Sequence, residues 1–479
     1  MSDIALLRPA AVWQEFEKIT RVPRPSKKEG QIIEHLVRFA EENGLRYKKD
    51  AAGNVVIFKP ATPSRKERPA VVLQSHMDMV CEKNSGVEFD FERDPIRTRI
   101  DKGWVRAEGT TLGADCGIGM AAALAVLKAD DMEHPAIEAL FTVDEETGLT
   151  GAFNLADDMI SAKLLVNLDS EDEGEIFIGC AGGVGTTATF NYTPRPVPEM
   201  VFFRFEVSGL QGGHSGDDID KGRANSNKVL ARLLYGIDGL TLSEFNGGNL
   251  HNAIPREAWA VAGVPAGKVT ALFEYFERFA SEITAEYRYG DPDIDLSISE
   301  IPAPAHVMDD VSQQSLLRAL VGVPNGVIAM SGAMPSLVET STNLASVKFT
   351  GEGNIVTVTS QRSSVESAKR YVAASVESVF ALAGASVAHN EGYPGWTPNP
   401  DSPLLGLTVE SYRELFGVEP RVRAIHAGLE CGLFLSKFPC LDMVSFGPTL
   451  RGVHSPDEQL EIASVEKFWQ LLVALLGKI

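Results

Sequence analysis

The sequence predicts an α/β protein: a discontinuous domain with a mixed, mostly parallel sheet covered by helices, interrupted by an inserted α+β domain. Three observations carry this expectation. Continuous apolar runs of strand length alternate with helical segments, the pattern of parallel strands buried on both faces. Two Pro-rich stretches, TPRPVPEM (193–200) and HNEGYPGWTPNPDSP (389–403), bracket a middle segment of different texture. The 479 residues are also too many for one ordinary core.

Taken in order, residues 11–45 read as helical with a break at VPRPS (22–26). GNVVIFKP (53–60) and RPAVVLQSHMDMV (68–80) are rich in β-branched residues and read as strands. GIGMAAALAVLKA (117–129) is Ala-rich and reads as a buried helix. AIEALFTV (136–143) and AKLLVNLD (162–169) are the next apolar strands. The insert contains strands such as VFFRFEVSGL and NIVTVTSQR, and helices such as NSNKVLARLLYGI and SVESAKRYVAASVESVFALAG. After the second linker come a helix, the strand CLDMVSFGP (440–448) and a final helix from about Val465. The expected division is therefore 1–190 together with 397–479, and 191–396 inserted between them.

Hydrophobic residues make up 44% and charged residues 23%, the composition of a soluble globular protein. No apolar run is long enough to span a bilayer. MSDIALLRPAAVWQEFEKI lacks a basic stretch followed by an apolar core, so it reads as an amphipathic helix and not as a secretory signal. The formal charge of −21 argues against nucleic acid, whose binding needs clustered Lys and Arg, and favours cationic or zwitterionic substrates. The five cysteines are scattered without a CxxC, which argues against a disulfide framework or a structural zinc knuckle and for a cytoplasmic protein. Cys116 and Cys431 read as small packing residues.

Acidic and histidine residues recur where the strands of the discontinuous sheet end. His76 and Asp78 stand in LQSHMDMV (73–80) and Asp115 in TTLGADCGIGM. Glu145 and Glu146 follow in TVDEETGL, Asp169 in VNLDSED and His454 in GPTLRGVHSPDE. In open α/β sheets the ligand crevice lies beyond the carboxyl ends of the strands, so these distant residues are expected to converge there. Taken singly, each has an ordinary structural explanation. Asp115 could cap a helix, the Glu pair could be a solvated turn, and His76 could be a satisfied core histidine. Together they form a donor set of imidazoles and carboxylates without thiolate, which suits zinc, cobalt or manganese. Two such ions sharing a carboxylate sit roughly 3.5–4 Å apart and acidify a bridging water toward a pKa of about 7. A nearby unligated carboxylate then serves as general base.

In order and spacing, SHMD, GADCGIG, DEETG, NLDSED and GVHSPDE resemble the cocatalytic dinuclear zinc exopeptidases. Within them the resemblance is strongest to the aminoacyl-histidine dipeptidase branch, the carnosinase-like or cytosol non-specific dipeptidases. It spans nearly the whole chain and includes IPREAWAV and AIHAGLECG (424–432). The resemblance implies two divalent ions, most simply zinc, one held by His76 and Asp169 and the other by Glu146 and His454, with Asp115 bridging. It implies Glu145 as the general base that activates a bridging hydroxide, and Asp78 as the carboxylate that orients His76. The inserted segment becomes a lid over a dipeptide substrate. His214, in GGHSGDDIDKGRANSN (212–227), is then a candidate for oxyanion stabilisation, and Arg362 a candidate clamp for the substrate carboxylate. His251 and Asn252 are further lid candidates; His426 and Glu430 are expected to face the substrate, with Glu430 meeting a cationic group.

The expected activity is hydrolysis of dipeptides, notably Xaa-His including β-alanyl-histidine. The alternatives are an N-acyl amino acid deacylase on the same dinuclear site, a catalytically silent peptide-binding relative, and a mononuclear zinc hydrolase. A homodimer is the expected assembly, with His214 acting in cis or from a partner subunit.

Overall fold

A computed structural model describes residues 3–351 and 353–479. It separates into two compact units. One comprises the chain up to Gly179 with Pro398–Ala424 and Glu430–Ile479; the other comprises Cys180–Thr397 with Ile425–Leu429. Among the described residues no helix is long and apolar enough to cross a membrane.

The first unit is built on an eight-stranded sheet. Its centre is four parallel strands in the order Ile137–Thr142, Val71–His76, Leu164–Asn167 and Asp442–Ser445. Antiparallel strands flank them, Val55–Lys59 and Arg46–Lys49 on one side and Glu175–Cys180 on the other. Every residue of Val71–His76 and Ile137–Thr142 is buried, as continuous apolar runs require of strands covered on both faces. Parallel pairing brings the carboxyl ends of these strands to one edge: His76 lies opposite Thr142, and Gln74 opposite Asn167.

The helix Ala114–Lys128 packs against this sheet. Nearly all of it is buried, so its small side chains allow close approach from every side. Regular helical geometry is broken at Asp115 and Cys116, so Asp115 stands in an irregular first turn. The glycines around it are dictated by contact. Gly113 has φ +68°, and a Cβ there would lie 2.6 Å from Arg24 Nη2 and 2.8 Å from Met79 Sδ. A Cβ on Gly119 would lie 2.6 Å from the Leu168 carbonyl oxygen.

The second unit contains a nine-stranded sheet covered by the helices Ser226–Tyr235, Asp310–Gly322 and Glu366–Leu382. Along Val201–Ser208 the side chains alternate as a strand demands: Phe203, Phe205 and Val207 join the main core, whereas Phe202 joins a small cluster with Val261 and Val307. The strand Gly182–Asn191 pairs along its length with Asn354–Ser363. The division therefore falls at 179/180, ahead of the sequence boundary at 190. Ile425–Leu429 also joins this unit, because Ala181 N–H donates to the carbonyls of Ile425 and Ala427 at 3.1 and 3.0 Å. His426 thus belongs with the second unit, although its sequence position places it in 397–479.

Gly113→Ala should destabilise the protein by about 1–3 kcal/mol, through positive φ and overpacking. Gly406, inside the helix Pro403–Phe416 with nothing within 4 Å of its would-be Cβ, should tolerate Ala or gain about 0.5–1 kcal/mol. Thermal unfolding of the two variants, compared with the parent, checks both signs.

Candidate metal centre

Each predicted ligand is delivered by a different element of the first unit. His76 is the last residue of Val71–His76, and Asp115 stands in the broken first turn of the buried helix. Glu145 and Glu146 open the short helix Glu145–Gly148 after Ile137–Thr142. Asp169 follows Leu164–Asn167. His454 lies beyond Asp442–Ser445 with a left-handed backbone, φ 61°, a strained conformation of the kind found at functional sites.

Asp115 occupies the middle of this group. Its Oδ1 lies 3.1 Å from His76 Nε2 and its Oδ2 lies 3.2 Å from His454 Nε2. His76 Nε2 is also 3.3 Å from Asp169 Oδ1, and His454 Nε2 is 2.9 Å from Glu146 Oε2. Two sets of donors therefore share one carboxylate. Donor atoms of Asp115, Glu146 and His454 lie within 4.8 Å of one another, as do those of His76, Glu145 and Glu146. Asp169 Oδ1 and Glu146 Oε1 are buried without a hydrogen-bond donor. Ionised carboxylate oxygens only accept, so cations would satisfy both atoms. Imidazole nitrogens and carboxylate oxygens without a committed thiolate fit divalent ions.

The electrostatics show the same demand for positive charge. Burial opposes ionisation of Asp115, but hydrogen bonds from His454 and His76 hold its carboxyl well below the usual range. The hydrogen bonds to Asp115 and Glu146 push His454 up to about 11. Burial disfavours charge on His76, yet Asp169, Asp115 and Asp78 raise it well above its ordinary value. Burial pushes Asp169 up to about 6 against the pull of His76. Glu145 differs from the others. Although part of it reaches the surface, desolvation within the cluster, reinforced by Asp169, Glu430 and Glu146, raises its carboxyl well above the usual range. A carboxyl shifted upward in this way is suited to exchanging protons.

Asp78 is fully buried and does more than face His76. Its Oδ1 lies 3.3 Å from His76 Nδ1, at an angle outside hydrogen-bond geometry. The same carboxylate accepts the backbone N–H groups of Glu145 and Glu146 at 3.1 and 3.3 Å and the Ser26 hydroxyl at 2.8 Å. It thereby places both glutamates relative to the His76 ring. Glu430 is a correction to the sequence reading. It is 1% exposed, and its Oε2 accepts from Gln74 Nε2 at 2.7 Å and Thr142 Oγ1 at 2.8 Å. Gln74 in turn accepts from Asn167 Nδ2 at 2.5 Å, and Asn167 Oδ1 accepts the Asp169 N–H at 3.3 Å. Glu430, pushed up to about 8 by burial, is thus part of a polar layer one pleat before the ligands and presents no surface to a substrate.

The second unit has its own polar cluster. Arg362 is nearly buried; its Nη1 donates to Tyr393 Oη at 2.9 Å and its Nη2 lies 3.3 Å from His214 Nε2. Among the described residues no carboxylate forms an ion pair with it, and its Nε lacks an acceptor. His214 Nδ1 lies 3.3 Å from Asp217 Oδ2. Asn252 is tied to this loop by the Ser215 N–H, which donates to its carbonyl at 2.8 Å, while His251 is exposed at the adjoining turn. His426 is nearly buried, with Nε2 2.7 Å from Ser341 Oγ; burial, with Arg362 adding, pushes it down to about 4. A side chain so enclosed is placed to support the cluster and not to reach outward, which corrects its expected exposure to substrate. The sequence reading missed Arg24 and Glu458, both buried against the ligand loops. Glu458 stands in GVHSPDE itself, but its partners are backbone groups, which leave no residue pattern.

The chain matches the family model of peptidase family M20/M25/M40 over residues 72–478. It is 43% identical over 484 aligned positions to the cytosol non-specific dipeptidase of Escherichia coli (strain K12), covering 100% of this chain and 99% of that protein. The crystal structure of an aminoacylhistidine dipeptidase from Vibrio alginolyticus superposes with a TM-score of 0.95 at 43% identity, covering 100% of this chain and 98% of that one. A tripeptidase from Staphylococcus aureus shares the fold, with a TM-score of 0.57 at 16% identity and 98% of both chains covered.

Asp115→Ala should abolish loading of both ions, counted by elemental analysis after chelation and reloading; two retained equivalents would exclude the shared carboxylate. A second expectation concerns pH. His426 titrates near 4 folded and near its ordinary 6.5 unfolded, so the unfolded chain binds the extra proton first as pH falls. Stability should therefore drop between pH 6.5 and 4, and His426→Gln should flatten that part of the stability–pH curve.

Proposed function

The chain belongs to peptidase family M20/M25/M40, and from that premise we propose that it is a two-metal dipeptidase acting on unblocked dipeptides, Xaa-His and β-alanyl-histidine among them. The observation that carries the reading is Asp115, whose two oxygens face His76 and His454 separately. The substrate class is supported by the dipeptidase names of the Escherichia coli and Vibrio alginolyticus relatives. Zinc is the proposed metal, with cobalt or manganese compatible with the same donors. His76 and Asp169 would hold one ion, Glu146 and His454 the other, and Asp115 both.

When bound, such ions polarise the scissile carbonyl and acidify water. The protein's own part is proton handling and placement. Glu145 takes a proton from the attacking water on its carboxylate and passes it to the nitrogen of the leaving amine. Asp78 holds the Glu145 and Glu146 amides and faces the His76 ring, which keeps the imidazole edge carrying Nε2 turned toward Asp115. In the second unit, Arg362 is a buried cation without an anionic partner among the described residues and suits the substrate's C-terminal carboxylate. His214, beside it, suits an oxyanion. The assembly proposed is a cytoplasmic homodimer.

Hydrolysis of β-alanyl-histidine should disappear on chelation and return with zinc or cobalt, while N-acetyl amino acids remain intact. Cleavage of the acylated compounds alone would replace the substrate class with that of a deacylase. Glu145→Gln should retain both ions and lose roughly 10²–10⁴-fold in turnover; turnover near the parent level would remove Glu145 from its role.

A further inference from the structure

Glu458 lies four residues beyond His454 and is 2% exposed. Its side chain crosses to the opposite end of the sequence and accepts four successive backbone N–H groups. Oε2 accepts from Leu112 at 2.7 Å and Gly113 at 2.9 Å; Oε1 accepts from Ala114 at 2.7 Å and Asp115 at 3.3 Å. The other side of the same peptide segment is held by Arg24, also 2% exposed. Arg24 Nη2 donates to the Gly113 carbonyl, and Nη1 donates to the carbonyls of Asp78 at 2.6 Å and Met77 at 3.1 Å. Residues 112–115 therefore run between a buried anion on their N–H side and a buried cation on the carbonyl side of Gly113. The two charges connect the loops that carry His454, Asp115 and His76.

This arrangement has a specific consequence. Asp115 has a non-helical backbone, so no helical hydrogen-bond ladder sets its orientation. Its carboxylate must nonetheless present one oxygen to His76 and the other to His454. The backbone anchor nearest to that carboxylate is Glu458. A carboxylate is required, since each of its oxygens accepts two N–H groups. An amide in its place would turn an NH₂ toward two N–H donors. The bare space at Gly113 and Gly117 belongs to the same device: a Cβ at either position would lie 2.6 or 2.7 Å from Arg24 Nη2.

We propose that Glu458, braced by Arg24, is a positioning residue that sets the bridging orientation of Asp115 and ties the His454 loop to it, so that the two ion positions form together. The proposal rests on the dinuclear reading of the centre and is independent of the substrate class. The test uses full-length protein stripped with chelator and titrated with Co²⁺, followed by calorimetry and by the visible absorption of the bound ion, which reports its coordination. The parent's own two-ion isotherm tests the dinuclear reading; the difference between variant and parent tests the proposal. Glu458→Gln should bind the ions roughly 10–100-fold more weakly, the range for residues that orient ligands from behind, and its cobalt spectrum should change. Parent affinity with an unchanged spectrum, whatever the change in Tm, would overturn the proposal and leave Glu458 a structural cap. If Glu458→Gln does not fold, Glu458→Asp reads the same quantities. It keeps the charge but withdraws it by one methylene, and parent-like affinity and spectrum there would overturn the proposal equally.

Discussion

The constraint on which the first unit depends is the crowding of carboxylates at one sheet edge. Asp78, Asp115, Glu145, Glu146 and Asp169 sit around two imidazoles, and like charges so close cannot all be ionised without compensation. The upward shifts of His76 and His454 and of the Glu145 and Asp169 carboxyls express that constraint in two ways. Either positive charge is drawn in, or a carboxyl keeps its proton. In the proposed reading divalent ions answer the first requirement, and the raised Glu145 carboxyl reflects the second. The site's chemistry thus follows from the same repulsion that makes it costly to build.

That cost is met by parts of the fold that lie behind the candidate ligands. Asp78 and Glu458 are held as buried groups by backbone N–H donors, and the buried Arg24 adds a positive charge that acts on both. Between them and the apolar core lies the hydrogen-bonded layer of Gln74, Thr142, Asn167 and Glu430. Val71–His76 and Leu164–Asn167 begin apolar and turn polar toward their carboxyl ends. Burial of the apolar part stabilises the sheet, while the polar ends orient the ligands. The rigidity needed at the edge is inherited from the core behind it.

The sequence makes legible whatever depends on side-chain type. Val71–His76, Ile137–Thr142 and Leu164–Asn167 announce themselves as apolar runs, and the candidate ligands His76, Glu146 and Asp169 stand at or shortly past their ends. Features that rest on backbone partners or on polar pairing are silent. Arg46–Lys49 is a strand of the sequence RYKK, too polar to read as one, and it is stable only as the edge of a sheet already formed. Glu458 and Arg24 address peptide groups, so no partner side chain marks them. Ile425–Leu429 passes into the second unit for only a few residues, too short a stretch to shift local composition. That is why His426 is assigned to the wrong domain from sequence alone.

The distribution of charge also bears on the proposed substrate. An unblocked dipeptide is a zwitterion, and each end needs opposite charge. Among the described residues the second unit holds Arg362 without an ion-pair partner, in a chain whose net charge is −21. Leaving a guanidinium buried and unpaired is costly unless an anion completes it. Arg362 is therefore complementary to a carboxylate, the group that a free dipeptide carries at its C-terminal end.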